Sequence, residues 1–558
     1  MKKHILSIIL ILVLTLIAYG NIFSNEFVWD DRIYLEENLV IRSLANTPTF
    51  FVTPTHGNLY RPLRSVLQAF VFSIWEFDVF GYHLNALLLH MIASVLVYVI
   101  VLKLFQKRKL ALFTGILFAV HPIHTDRVTN MTAGFDLLGI VLMLAAFLAY
   151  LLYKESRKKI PLVISIVLFV LGLFSSEEAF MLPFLILLYE LAFAKTTLME
   201  RARELAKHKA LYVFPALLVL YLIIRIAVTG SLGRAAQYPA GTFSATIVIT
   251  IKILAHYLGL LILPINLSLQ RVVPVATSLF DPLVFISLLL LLALIAVAFW
   301  SRTRRPIIFF AIGWFFLTLV PFMNILPNFS LMEERYTYVA SIGFCLLIAY
   351  AFTLAYQKKE WKIPTLVVFA LVLILYTVGT MQRNAEWRDD ITLWERTVIT
   401  SPNSARAWDN LGQSYEALGR FDDALEAIDT SLTIDENNAF AHNNLGIVFA
   451  EKGLYNYSIA EFLIAIELEP NYARAYDHLG LAYLRLNDTD KAIAAFATAI
   501  QLEPGLYKAY NDLGTALVYT GEMDRAELAF QQALKINPRY EAAQKNLESL
   551  QRLKAKTQ

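Results

Sequence analysis

Residues 405–420 read ARAWDNLGQSYEALGR, and related stretches begin at 439, 473 and 507, a spacing of 34 residues. Trp408, His442, Tyr476 and Tyr510 share one register, and Leu411-Gly412, Leu445-Gly446, Leu479-Gly480 and Leu513-Gly514 share the next. Gly419, Gly453, Asn487 and Gly521 fall where a helix pair must turn, and Gly or Asn accepts the left-handed backbone of such a turn. Ala424, Ser458, Ala492 and Ala526 are small enough to let paired helices approach. Pro470, Pro504 and Pro538 close repeats two to four, with Glu436 in the first.

This period is that of the tetratricopeptide helix–turn–helix, so four repeats are expected over 405–540. A polar capping helix follows at 541–558, and 383–404 forms a linker with an N-terminal capping helix. Stacks of this kind hold extended peptides in a concave groove. Asp409, Asn443, Asp477 and Asn511 recur at one position of successive first helices. They suit a ladder that hydrogen-bonds an acceptor backbone; simple solvation of the inner surface is the other reading.

Upstream of the repeats the composition changes. The whole chain is 58% hydrophobic and 17% charged, more apolar and less charged than a soluble globular protein. The excess lies in 1–382, which reads as a multi-span membrane domain. Membrane-length runs occupy 5–25, 84–102, 137–153, 160–176, 282–300, 306–332, 336–357 and 363–382, and shorter ones 110–120, 179–194 and 210–230. That makes about eleven spans, the first a retained anchor rather than a cleaved leader. Segment 245–280, with Lys252, His256 and several prolines, reads as a helix lying on or dipping into the outer face. The expected class is all-α: a polytopic helical membrane domain followed by an α-solenoid.

Basic clusters orient it. Lys2 and Lys3, Lys103 to Lys109, Lys154 to Lys159, Lys195 to Lys209, Arg302 to Arg305 and Lys358 to Lys362 fall on one side if the spans alternate, and that side is the cytoplasm. Asp30, Asp31, Glu36, Glu37, Asp126, Glu177, Glu178, Glu333 and Glu334 fall on the other, and an odd span count puts the repeats there too. The single cysteine, Cys345, excludes disulfide staples and a thiolate metal cluster. Nothing points to nucleic acid.

Two adjacent carboxylates beside a bilayer, Asp30 and Asp31 in Phe27-Val28-Trp29-Asp30-Asp31, are the candidate catalytic pair; a solvated loop is the plainer alternative. Arg61 and Arg64, three apart, share a helical face and suit a phosphate; headgroup anchoring by an Arg–Tyr pair is the other reading. His121, His124 and Asp126 lie within six residues, but no further strong ligand at a familiar spacing completes a zinc site. Imidazole donors to a phosphate suit the two histidines better. Glu177-Glu178 reads as a tight turn, solvated or with one acid held near a cation or protonated. Arg335 and Tyr336, after Glu333-Glu334, stand at the lip of a span, where the guanidinium suits a charged lipid phosphate unless a neighbouring acid neutralises it.

Phe27-Val28-Trp29-Asp30-Asp31, Tyr60-Arg61-Pro62-Leu63, Phe118-Ala119-Val120-His121-Pro122-Ile123-His124, Glu334-Arg335-Tyr336, Ser341-Ile342-Gly343-Phe344 and Arg383-Asn384 with Trp387 together resemble the transmembrane and tetratricopeptide repeat-containing O-mannosyltransferase family. That family is part of the GT-C class of multi-span, lipid-phosphosugar-dependent glycosyltransferases. The resemblance covers nearly the whole chain. It implies eleven spans, repeats on the outer or luminal side, and inverting transfer of a hexose, mannose in the family, from a polyprenyl- or dolichyl-phosphate carrier to Ser or Thr of an acceptor protein. It implies that Asp30 is the base, with no obligatory metal, although the second acid leaves room for a divalent cation. Arg61, Arg64, His121, His124, Arg127, Arg335 and Tyr336 would surround the donor, with Asp126, Glu177 and Glu334 behind them. The alternatives are a non-catalytic membrane scaffold, or a transferase acting on a lipid or glycan. The chain departs from the family pattern at Asp126, where a Glu is usual, at Gly134-Phe135-Asp136, which lacks an arginine, and at Ser176-Glu177, which lacks a lysine. Arg127 is placed to compensate for one of the missing cations.

Overall fold

The computed structural model describes residues 2–557 apart from 55–58, 195, 232–237, 239, 275, 277, 328 and 329, so Lys195 of the basic clusters lies outside the described residues. Every regular element described is a helix. The chain divides into two compact units, Met1–Leu393 and Trp394–Gln558. The helix Asp390–Thr400, expected within the linker, straddles that division.

Among the described residues of the first unit, eight helical segments are long and apolar enough to cross a membrane: Lys2–Ser24, Val79–Phe105, Met131–Ser156, Ala210–Thr229, Phe243–Ile262, Pro282–Ser301, Glu334–Gln357 and Lys359–Ala385. Their apolar side chains face outward as often as inward, as a lipid-bathed bundle requires; Phe285, Ile286, Leu289, Phe299 and Trp300 of Pro282–Ser301 are all exposed. Asp281 starts that helix by accepting from Leu283 N and Val284 N, and Asp78 starts Val79–Phe105 by accepting from Phe80 N.

Two features depart from the sequence expectation. The runs at 160–176 and 306–332 become helices too short to span, Lys159–Leu173 and Pro306–Leu319, and join the short Arg108–Val120 and Leu182–Ala192. At 1.5 Å per residue, helices of this length reach only about 15–23 Å, short of a hydrocarbon core of about 30 Å. Four of them end at one pole of the bundle, where buried polar loops take over. The second departure is Phe243–Ile262, long enough to span. Yet Thr250 Oγ1 bonds Met323 O at 3.3 Å, Tyr257 OH bonds Glu333 O at 2.9 Å, and Leu261 O meets His121 and Tyr376. These contacts tie the helix to the segments around His121, Met323 and Glu333.

The basic clusters gather at the opposite pole. Lys103 pairs with Glu155, Lys154 with Glu190 at 2.7 Å, and Arg201 also with Glu190. Arg302 caps Leu191 O and Thr196 O, both at 2.9 Å, and Lys109 and Lys362 lie over Tyr356.

The second unit is the expected repeat stack, from Ala405–Ala417 paired with Phe421–Ile434 through Tyr507–Tyr519 paired with Met523–Ile536. Glu541–Thr557 closes it, with Leu550 packed among Leu517 and Phe530. A Cβ on Gly446, Gly480 or Gly514 would stand 2.6 Å from Phe462, Phe496 or Phe530 of the paired helix, which is why the Leu-Gly register recurs. Gly419, Gly453, Asn487 and Gly521 all have positive φ, from 60° to 81°.

Candidate functional site

At the pole away from the basic clusters, the first two loops and the end of the last long helix are knotted by Asn384. Its Nδ2 donates to Ala18 O and Asn21 Oδ1, its Oδ1 accepts from Thr129 Oγ1, and its carbonyl accepts from Asn25 Nδ2. This fixes the first loop, which carries the acid pair, against the second.

Within the first loop the two acids part company. Asp31 is fully buried; Oδ1 accepts from Thr132 N at 2.7 Å and Oδ2 from Val28 N at 3.4 Å. Burial pushes its carboxyl up to about 7, against the pull of those hydrogen bonds. Asp30 is only half-buried. The residue before it, Trp29, sits in the left-handed region at φ 50°, and the guanidinium of Arg335 lies 5.8 Å from the centre of its ring.

Behind the pair runs a buried ionic chain that no single stretch of sequence announces. Arg64 Nη2 donates to Thr132 O at 3.0 Å, and its Nε lies 3.3 Å from Asp136. Asp136 also holds Arg61 at 2.6 Å and Arg127 at 2.9 Å. Arg61 continues to Glu177, Arg225 reaches Glu177 at 3.3 Å, and Arg127 reaches Glu178 at 2.6 Å. Four guanidiniums thus meet three carboxylates out of water, a balance that holds only because each charge is paired. The Glu177-Glu178 turn is therefore not solvated: both acids are buried beside cations. Arg127 supplies the cation on Asp136 and Glu178 that Phe135 and Ser176 do not.

The remaining expected residues divide. Arg335 Nε donates to Glu333 at 2.5 Å and its backbone N to Asp126 at 3.1 Å, so the lip guanidinium has its acid partner. Tyr336 stacks on Phe322 with ring centres 4.2 Å apart. Glu334 is buried, accepts from Ser268 N at 2.6 Å, and lies 3.4 Å from Arg271 and 3.7 Å from Arg383. Asp126 is buried, and burial raises its carboxyl above the usual range. His121 and His124 turn away from any phosphate. Both have no exposed surface; His121 Nε2 bonds Leu261 O at 3.0 Å, and His124 Nε2 bonds Ser341 Oγ at 2.8 Å. Burial holds His121 down to about 4, so it is neutral and serves to tie helices together. Among the described residues no group of three or more His, Cys, Asp or Glu is arranged to hold a metal. Sequence reasoning missed Asp136 as the hub, Arg225 and Asp390. Each acts across the fold, from positions far apart in the chain.

In the repeats, Asp409, Asn443, Asp477 and Asn511 do not stand free in a groove. All four are buried, and they join each repeat to the next through the residue 35 positions on: Asp409 with Asn444 at 2.9 Å, Asn443 with His478 at 2.9 Å, Asn511 with Asn546 at 2.8 Å. The same register sets Asp477 opposite Asp512. The polar ends expected to bind an acceptor backbone are thus engaged between repeats, because one helical face must serve as both inner wall and stacking surface.

Residues 56–224 match the dolichyl-phosphate-mannose-protein mannosyltransferase family model, and 405–438, 473–506 and 507–540 match tetratricopeptide repeat models. The human protein O-mannosyl-transferase TMTC3 is 25% identical over 454 residues, covering 73% of this chain and 49% of the relative. Drosophila melanogaster Tmtc3 is 25% identical, covering 76% and 54%. The Caenorhabditis elegans protein O-mannosyl-transferase F38B6.6 is 25% identical, covering 74% and 60%.

The chain is similar to protein O-mannosyl-transferases of the transmembrane and tetratricopeptide repeat-containing family. It spans about half the length of the first curated relatives it matches. The family's multi-pass membrane character agrees with the long apolar helices of the first unit.

Proposed function

We propose that the protein is a membrane O-mannosyltransferase that moves mannose from a polyprenyl- or dolichyl-phosphate carrier to Ser or Thr hydroxyls of an acceptor protein. The observation that carries this is the split of the acid pair: Asp31 is consumed in holding Thr132, while Asp30 is left half-buried one residue from the ring that Arg335 covers. Asp30 takes the hydroxyl proton as the oxygen attacks the anomeric carbon. The bond from that carbon to the phosphate oxygen breaks with inversion, and polyprenyl phosphate leaves. A base within reach of the incoming hydroxyl and a cation beside the departing anion are what the displacement needs. Arg335, over the ring of the neighbouring Trp29, is the cation beside the base, with Arg61, Arg64 and Arg127 setting the positive side of the field behind it. The short helices at this pole recess the site, which suits a donor whose phosphate lies at headgroup level and whose tail lies in lipid.

The basic clusters at the opposite pole support an extracytoplasmic site, and the repeats recruit the acceptor on that side: outside the plasma membrane in a prokaryote, in the endoplasmic reticulum lumen in a eukaryote. The test is transfer by purified full-length protein, offered several polyprenyl-phosphate sugars and candidate acceptor proteins and read by intact mass. Asp30→Asn should lower turnover by about 10²–10⁴-fold, the usual worth of a general base, with folding preserved. Full activity in that variant would assign the base to another group, and no transfer by the wild type would favour the scaffold reading; product on lipid or glycan alone would redirect the acceptor class.

A further inference from the structure

We propose that Asp390 is a positioning residue for Asp30, an inference that rests on the transferase reading above. Asp390 opens the helix Asp390–Thr400. Its two oxygens are occupied by the first loop, some 360 residues earlier: Oδ1 accepts from Trp29 N at 2.8 Å, and Oδ2 takes Arg32 Nε at 2.8 Å and Nη2 at 2.6 Å. The two donors bracket Asp30 and Asp31. One carboxylate thus holds the loop at two points, the Trp29 amide on one oxygen and the Arg32 guanidinium on the other, which fixes direction as well as distance. A neighbouring backbone bond, Glu26 N to Arg388 O at 2.8 Å, ties the same two segments.

The clamp sits where the backbone most needs one. Trp29 is left-handed at φ 50°, a conformation that an aromatic side chain rarely adopts unless its surroundings impose it. That residue begins the tight turn in which Asp31 N bonds Val28 O at 3.0 Å, sending the Asp31 carboxylate inward to Thr132. Trp29 is held on its amide by Asp390 and over its ring by Arg335. Without the first of these, residues 28–32 relax toward an ordinary backbone, and Asp30 loses its aim. Misplacing a catalytic group by about 1 Å can cost about 10²-fold in rate.

The test uses the full chain in detergent, with Asp30→Asn in parallel. Asp390→Ala should lower kcat at least ten-fold with donor and acceptor KM within two-fold of wild type. Asp390→Asn, which keeps an acceptor for Trp29 but no charge for Arg32, should fall between, and Asp390→Glu should recover part of the loss. Amides of 27–33 should exchange with deuterium at least ten-fold faster in Asp390→Ala, while those of 337–357 do not change. Unaltered exchange at 27–33, or a loss confined to KM, overturns the role. An active wild type whose Asp390→Ala variant keeps its kcat sinks this role alone; a wild type that transfers no sugar sinks the transferase reading and this role with it.

Discussion

Both units bury polar side chains inside helical protein, and they do so by opposite means. In the membrane unit Asp136 gathers Arg61, Arg64 and Arg127 from two segments into a charged hub. In the repeat unit Asp409, Asn443 and Asn511 each bond one polar partner at the same offset in the next repeat. The hub is irregular, ionic and assembled from afar; the rungs are periodic and rely mostly on neutral partners. A charged hub fails when any member is lost, because the rest are left buried and unpaired. A rung fails locally, because each repeat touches only its neighbours.

The sharpest way to break that contrast is Asp136→Asn. It removes the carboxylate that three guanidiniums share, so the membrane unit should lose about 3–5 kcal/mol and transfer should vanish; thermal unfolding in detergent alongside turnover reads both. A loss under 1 kcal/mol would show that the hub is not the keystone described here. In the repeats, Gly480→Ala pushes a Cβ to 2.6 Å from Phe496 and should cost about 1–3 kcal/mol, with exchange rising in 473–502 and not in 405–434.

The third rung gives the pH prediction. Asp477 faces Asp512 instead of an amide, with Lys508 and Glu503 nearby and Arg474 on its own helix; burial and that second acid push its carboxyl up to about 8. Burial also raises Asp512, to about 6. A carboxyl that titrates higher folded than unfolded stabilises the fold fully below about pH 4, and the contribution is lost as pH climbs toward 8. The repeat unit should therefore weaken between pH 5 and 8 by up to about 1.4 kcal/mol per pH unit for each such group. Asp477→Asn should flatten that slope in an unfolding series; an unchanged slope would remove the rung from the account. The smallest effect is expected at the exposed pair Arg552–Glu548, where Arg552→Ala should shift stability by under about 0.5 kcal/mol.

Of the candidate site, the first-loop acids and the lip arginine could be picked out from the sequence because charges next to membrane spans stand out against apolar runs. The two histidines were misplaced for the same reason. Between spans they looked exposed, but the chain folds them under the Phe243–Ile262 helix and against Ser341. The partner of Asp30's loop, Asp390, carries no local signal at all, since an Asp opening a helix reads as a cap and nothing more.

Periodicity and hydropathy are written along the chain, so the repeats, their turns at Gly419 or Asn487, and most of the long membrane helices followed from residues alone. Which helices fall short, which arginine meets which acid, and which of two neighbouring aspartates points inward depend on contacts between segments tens to hundreds of residues apart. A linear pattern does not encode such contacts: the cost of burying a charge is settled only by whatever the completed fold brings beside it.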